Sequence, residues 1–134
     1  MTAGPRAVAE DFYRRFNSGE RIPEAFFHPD IDWHWPQATL GPSVFRGHEG
    51  IATGLSMWTE SWGEFQMEPE EYIEDGDDLF VRMRYRLRGA QSGIDIEQPV
   101  AHLVRLEGGL IRSWWMFGDP EKARRRFLAG DRPG

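Results

Sequence analysis

Val81-Arg82-Met83-Arg84-Tyr85-Arg86-Leu87-Arg88 alternates apolar and cationic side chains without a break. That period of two is the mark of a strand with one face buried and one face wet. Burying the four arginines without partners would cost on the order of several kcal/mol each, so the apolar set faces inward. The arginine row is then a solvated outer face, with Glu97 and the acids Glu68, Glu70 and Glu74 on neighbouring strands as cross-strand partners. A nucleic-acid reading of this row is disfavoured by the formal net charge of −6, which also argues against an anionic membrane as partner.

Turn signals bracket this strand on both sides. Asp75-Gly76-Asp77, Gly89 to Gly93 and Glu107-Gly108-Gly109 divide the second half of the chain into four strands, at roughly 64–74, 78–89, 94–107 and 110–118. Short connections make them an antiparallel meander. The first half has helical periods. Val8, Phe12 and Phe16 form one stripe, ended by Asn17-Ser18-Gly19. A shorter helix with Pro23 near its start and Ile22, Phe26 and Phe27 for burial follows. A third helix opens at Gly47-His48-Glu49-Gly50, carries Ile51, Leu55, Trp58 and Trp62, and closes at Gly63. Between them, His28-Pro29-Asp30 predicts a turn, Ile31 to Trp35 a half-buried strand, and residues 36–46 a loop near a pocket mouth. Asp119 caps a final helix with Pro120 at its first position and Ala123 and Phe127 facing inward.

Helices first and strands later make this an α+β chain of one domain, residues 1–134, with an ordered core at about 6–128. The 134 residues contain six Trp and nine Phe, more rings than packing requires, which predicts an aromatic-lined pocket. The alternatives are an aromatic-rich core or a buried dimer face. No cysteine is present, so disulfides and thiolate chemistry are excluded. No stretch reads as a signal peptide or a bilayer span, and the expected location is cytoplasmic. No GxGxxG, GK[ST], HExxH or GxSxG motif occurs where its chemistry needs it, so no cofactor is expected.

The segments Phe12 to Gly19, His28 to Trp33, Phe45 to Gly50, Ser92-Gly93, Pro99 to His102 and Phe117 to Asp119 are similar to SnoaL-like (polyketide cyclase-like) proteins of the nuclear transport factor 2-like fold. The resemblance implies a cone-shaped, curved antiparallel sheet wrapped around the N-terminal helices, a cystatin-like α+β barrel. It also implies a pocket inside the cone and a homodimer. A ketosteroid-isomerase-like base falls on Trp35, and the tyrosine of that mechanism on Phe12. The Asp–Arg–Asp set of limonene epoxide hydrolase falls on Met83, Tyr85 and Met116, and the acid of SnoaL-type cyclases again on Met116. The inward acids of all three chemistries are therefore absent.

On the strand 94–107, alternation puts Ile96, Gln98, Val100 and His102 on the inner face. On the last strand both alternating sets carry bulk; periodicity leaves the choice open, and the family alignment favours Trp114 and Met116 inside. The expected site is thus His102 and Tyr85 as proton-handling groups among Trp33, Trp35, Trp58, Met83, Gln98, Val100, Trp114 and Met116. A neutral imidazole beside a phenol suits a cofactor-independent cyclase, isomerase or dehydratase acting on a small apolar, aromatic or polyketide-like molecule. A core histidine, a non-catalytic binding protein and a structural dimerisation module are the alternatives. His28, Asp30, Asp32 and His34 have ligand-type side chains, but a turn and an outward strand face account for them without a metal. Asp119, His48 and Glu49 are read as helix-terminus groups.

Overall fold

The computed structural model describes residues 4–35 and 44–133. Helices α1 (Pro5–Asn17), α2 (Gly47–Ser61) and α3 (Pro120–Leu128) accompany six strands: β1 (Phe27–His34), β2 (Val44–Arg46), β3 (Trp62–Asp75), β4 (Asp78–Gly89), β5 (Asp95–Glu107) and β6 (Leu110–Phe117). The strands form one curved sheet in the order β2-β1-β6-β5-β4-β3. The β3 to β6 meander is antiparallel, as its short turns require; Gly108 and Gly109, at φ 60° and 81°, make the last of those turns in a region other residues avoid. β1 joins the far edge parallel to β6, with Trp33 beside Trp114. The sheet is therefore mixed rather than purely antiparallel.

Four boundaries differ from the sequence reading. The expected second helix is a single 3₁₀ turn at Glu24–Phe26, because Pro29 and the apolar Phe27 and Ile31 pull the chain into β1 four residues early. His28-Pro29-Asp30 accordingly lies within the strand. Trp62 does not end the helical stripe but begins β3, pairing with Gly89. Most of the predicted 36–46 loop lies outside the described residues, and its end, Val44–Arg46, is a short strand on β1.

β4 has the faces its alternation predicts. Leu79, Val81, Met83, Tyr85 and Leu87 are buried inside the cone. Outside, Arg86 lies 2.8 Å from Glu68 and 3.4 Å from Glu97, and Arg84 lies 4.0 Å from Glu70. Glu74 is not part of this row; its carboxylate accepts from the backbone N–H of Arg6 at the start of α1. Arg82 pairs with Glu121 of α3.

The sheet is buried on both faces at the β5–β6 end. Inside, Trp114 and Met116 join the main core with α1 and α2. Outside, Phe80, Ala101, Leu103 and Trp115 are covered by Phe127 of α3. Two-sided burial explains why both alternating sets of β6 are bulky. Asp119 caps α3, its carboxylate accepting from Lys122 N–H at 3.1 Å. His48 does not cap α2; its Nε2–H donates to the carbonyl of Phe27 at 2.9 Å, tying the helix start to β1.

Candidate functional site

α1, β4, β5 and β6 bring one polar chain into an otherwise apolar interior. His102 of β5 has no solvent exposure. Its Nδ1 is 2.9 Å from the hydroxyl of Tyr13 on α1, and its Nε2 bonds the hydroxyl of Tyr85 on β4. The Tyr85 hydroxyl also reaches Met116 Sδ of β6 at 3.5 Å. Burial pushes the His102 pKa down to about 3, so the ring is neutral at ordinary pH. Burial likewise drives both phenols well above their usual range, with the neighbouring Tyr85 and Tyr72 adding to the effect at Tyr13. All three groups are uncharged.

A neutral imidazole has one N–H and one lone pair, so one tyrosine donates to it and the other accepts. Among the described residues, one arrangement gives every hydrogen a partner. Tyr13 O–H donates to Nδ1, Nε2–H donates to the Tyr85 oxygen, and Tyr85 O–H donates to Met116 Sδ. The reverse order would leave the buried Tyr13 O–H with no acceptor. The chain therefore ends on a hydroxyl whose own acceptor is a thioether, the weakest in the protein inventory.

Around this chain the rings pack edge to face or in stacks. Trp33 and Trp114 stack at 4.4 Å across β1 and β6, and Trp58 of α2 meets Trp33 edge-on at 4.8 Å. Trp35 stacks on Trp58 at 5.7 Å, and Trp114 stands edge-on to His102 at 5.3 Å. Gly54 allows α2 to approach this closely, since a Cβ there would sit 2.5 Å from the Trp33 ring. The indole N–H groups of Trp33, Trp35 and Trp114 find no acceptor among the described residues. The interior thus carries surplus donors and, at the inward positions Met83, Tyr85 and Met116, no carboxylate.

Of the expected site residues, His102, Tyr85, Trp33, Trp35, Trp58, Met83, Val100, Trp114 and Met116 all belong to this interior or pack against it. Gln98 does not. It shares the inner face beside Tyr85 but is solvent-exposed, because β6 ends opposite Ala101 and leaves the outer end of β5 uncovered. Tyr13 was missed. Phe12 and Phe16 mark the buried helix face, and Ala9 and Tyr13 repeat the same four-residue step and are buried beside it. On the outer face, Asp32 holds His34 at 2.8 Å, accepts from Ser113 at 2.6 Å and pairs with Arg112 at 3.1 Å. His28 pairs with Glu107 at 2.8 Å. These histidines have protein partners.

No curated protein matches the chain. Several solved structures share the fold. An NTF2-like protein of unknown function from Burkholderia pseudomallei is 20% identical, with 92% of this chain and 96% of that one covered at a TM-score of 0.77. A protein of unknown function with a cystatin-like fold from Xanthomonas campestris is 19% identical, covering 90% and 95% at 0.77. TerC, co-crystallised with polyporic acid, is 20% identical, covering 92% and 97% at 0.75. At these identities the likeness establishes the nuclear transport factor 2-like fold alone. The sequence model of the SnoaL-like domain, however, matches residues 9–114, and the chain belongs to the SnoaL-like family.

Proposed function

We propose that this protein is a cofactor-independent enzyme that binds a small apolar, aromatic or polyketide-like molecule inside the cone and activates one of its oxygens through Tyr85. The observation that carries the reading is the uncharged Tyr13–His102–Tyr85 chain, which ends on a weakly satisfied O–H. A ligand carbonyl is a better acceptor than the Met116 thioether, so exchanging one for the other is favourable. As negative charge grows on that oxygen during cyclisation, isomerisation or dehydration, the donor chain behind it strengthens the bond. His102 then acts as a positioning residue that keeps the Tyr85 proton aimed outward, rather than as a free base. The solved structure of TerC with polyporic acid, in the same fold, supports a small-molecule role.

The test is a panel of neutral aromatic ketones screened by thermal shift and then by turnover. Tyr85→Phe should lower turnover by about 10²–10³-fold, the usual loss for one oxyanion donor, with a much smaller effect on binding. Turnover unchanged in Tyr85→Phe would refute the reading. A non-catalytic binding role is favoured by a separate observation, the absence of carboxylates at Met83, Tyr85 and Met116, which leaves no strong base beside the donor. Ligand bound with no product at any pH from about 5 to 9 would select it.

A further inference from the structure

A ligand that uses Tyr85 has to reach it, since His102 has no solvent exposure and Tyr85 only 7%. A groove of about 500 Å³, open to solvent, lies between the end of α1, α2 and the start of β3. That volume lies within the usual range of small-molecule sites, about 300–1,000 Å³. Its apolar walls are Phe16, Ile22, Leu55, Trp58, Trp62 and Phe65. Trp58 and Phe65 stack at 4.9 Å and 29°, and both touch the Tyr85 ring, Phe65 at 4.9 Å and Trp58 at 6.2 Å. Both rings thus line the groove and pack against the ring that bears the phenol.

The geometry points to this groove as the approach and outer subsite for a neutral, planar aromatic carbonyl compound, with Trp58 and Phe65 as the gate in front of Tyr85. The inference rests on the reading of Tyr85 given above and adds where the ligand enters and what class it is. Ring walls on both sides favour a flat aromatic body. The charged side chains in the lining are Glu20 and Glu64, which pair with Arg14 at 3.2 Å and Arg88 at 4.0 Å, and the lining itself holds no cation to attract an anionic ligand. Beyond the gate the interior presents donors, namely Tyr85 O–H and the indole N–H groups of the buried Trp33 and Trp114, which find no acceptor among the described residues. A ligand with carbonyl acceptors matches them; one that brings further O–H or N–H groups does not.

Prodan, a neutral naphthyl ketone whose emission moves to the red when its carbonyl accepts a hydrogen bond, is the probe. It is added to the wild type and to three variants, each first checked for native circular dichroism. Thr59→Trp places a ring in the groove from an exposed position on α2. Thr53→Trp makes the same change at an exposed α2 position outside the groove. Tyr85→Phe removes the hydroxyl. The expected result is association slowed about tenfold or more by Thr59→Trp, unchanged within about twofold by Thr53→Trp, and a blue-shifted bound emission in Tyr85→Phe. If Thr59→Trp binds as fast as the wild type while Tyr85→Phe still shifts the emission, the groove is refuted and the Tyr85 reading survives. If Thr59→Trp slows binding and Tyr85→Phe shifts nothing, the groove stands and the Tyr85 reading fails. A wild type that does not bind Prodan overturns the groove as a site for this class.

Discussion

Replacing His102 by Gln should make the protein less sensitive to mild acid, and the size of the change follows from burial. Folded, the imidazole takes up a proton only near pH 3, whereas in the unfolded chain it does so near 6.5. The folded pKa is the lower one, so below pH 6.5 the unfolded chain binds the extra proton and gains. Stability from this group is therefore complete above 6.5 and is lost as pH falls toward 3. The slope approaches about 1.4 kcal/mol per pH unit, which gives a loss of about 2 kcal/mol between pH 7 and pH 5. The carboxylates whose pKa values are lowered, Asp32 and Asp78 among them, change protonation below this window and do not contribute to it. Urea unfolding of the wild type and of His102→Gln at pH 7 and pH 5 isolates the effect. The substitution lowers stability at both pH values, but only the difference between them matters, and His28, His34 and His48 cancel because both proteins have them. The variant should lose about 2 kcal/mol less than the wild type on going to pH 5. An equal loss in the two proteins would refute the idea of a neutral, solvent-excluded imidazole.

Three further outcomes follow from named contacts. Tyr13→Phe removes the hydroxyl that donates to Nδ1 and should cost about 1–3 kcal/mol in urea unfolding, while leaving the secondary structure by circular dichroism unchanged. Gly54→Ala pushes a methyl group into the Trp33 ring at 2.5 Å and should destabilise by about 1–3 kcal/mol with a changed near-ultraviolet spectrum; a neutral effect would mean that α2 does not approach β1 so closely. Arg86→Ala breaks two exposed pairs, to Glu68 and Glu97, and should shift stability by less than about 1 kcal/mol, with the difference vanishing in high salt.

The fold was legible because β4 is unambiguous. Four arginines alternating with four apolar residues admit one orientation, and Glu68, Glu70 and Glu97 stand where cross-strand pairing requires. Orienting β4 orients β5 through the antiparallel register, which sets His102 beside Val81 inside the cone. Periodicity failed where burial is two-sided or packing is long-range. The two bulky sets of β6 could not be told apart, since α3 covers the outer face as thoroughly as α1 and α2 cover the inner one. The partner of β1 was equally hidden, because a parallel pairing across most of the chain leaves no turn signal. Gln98 lies on the face that alternation assigned, but alternation says nothing of how far the cover extends, and there the cover has ended. Tyr13 is not legible as a site residue because its amphipathic ring fits the edge of a helix stripe as well as a buried position, and the Ala9–Tyr13 step runs directly beside Phe12 and Phe16. Its role needed the contact between residues 89 positions apart, which no local pattern encodes.

The direction of the protons along Tyr13, His102 and Tyr85 decides whether Tyr85 can donate to a ligand. The ¹⁵N spectrum of the His102 ring, read through its long-range couplings at pH 7, measures this directly. The expected result is a neutral ring with the proton on Nε2 and a bare Nδ1, unchanged on lowering the pH to 5. A proton on Nδ1 would contradict it, for Tyr85 O–H would then donate to the bare Nε2 and no longer be free for a ligand, and a ring protonated on both nitrogens would contradict the neutral, solvent-excluded imidazole.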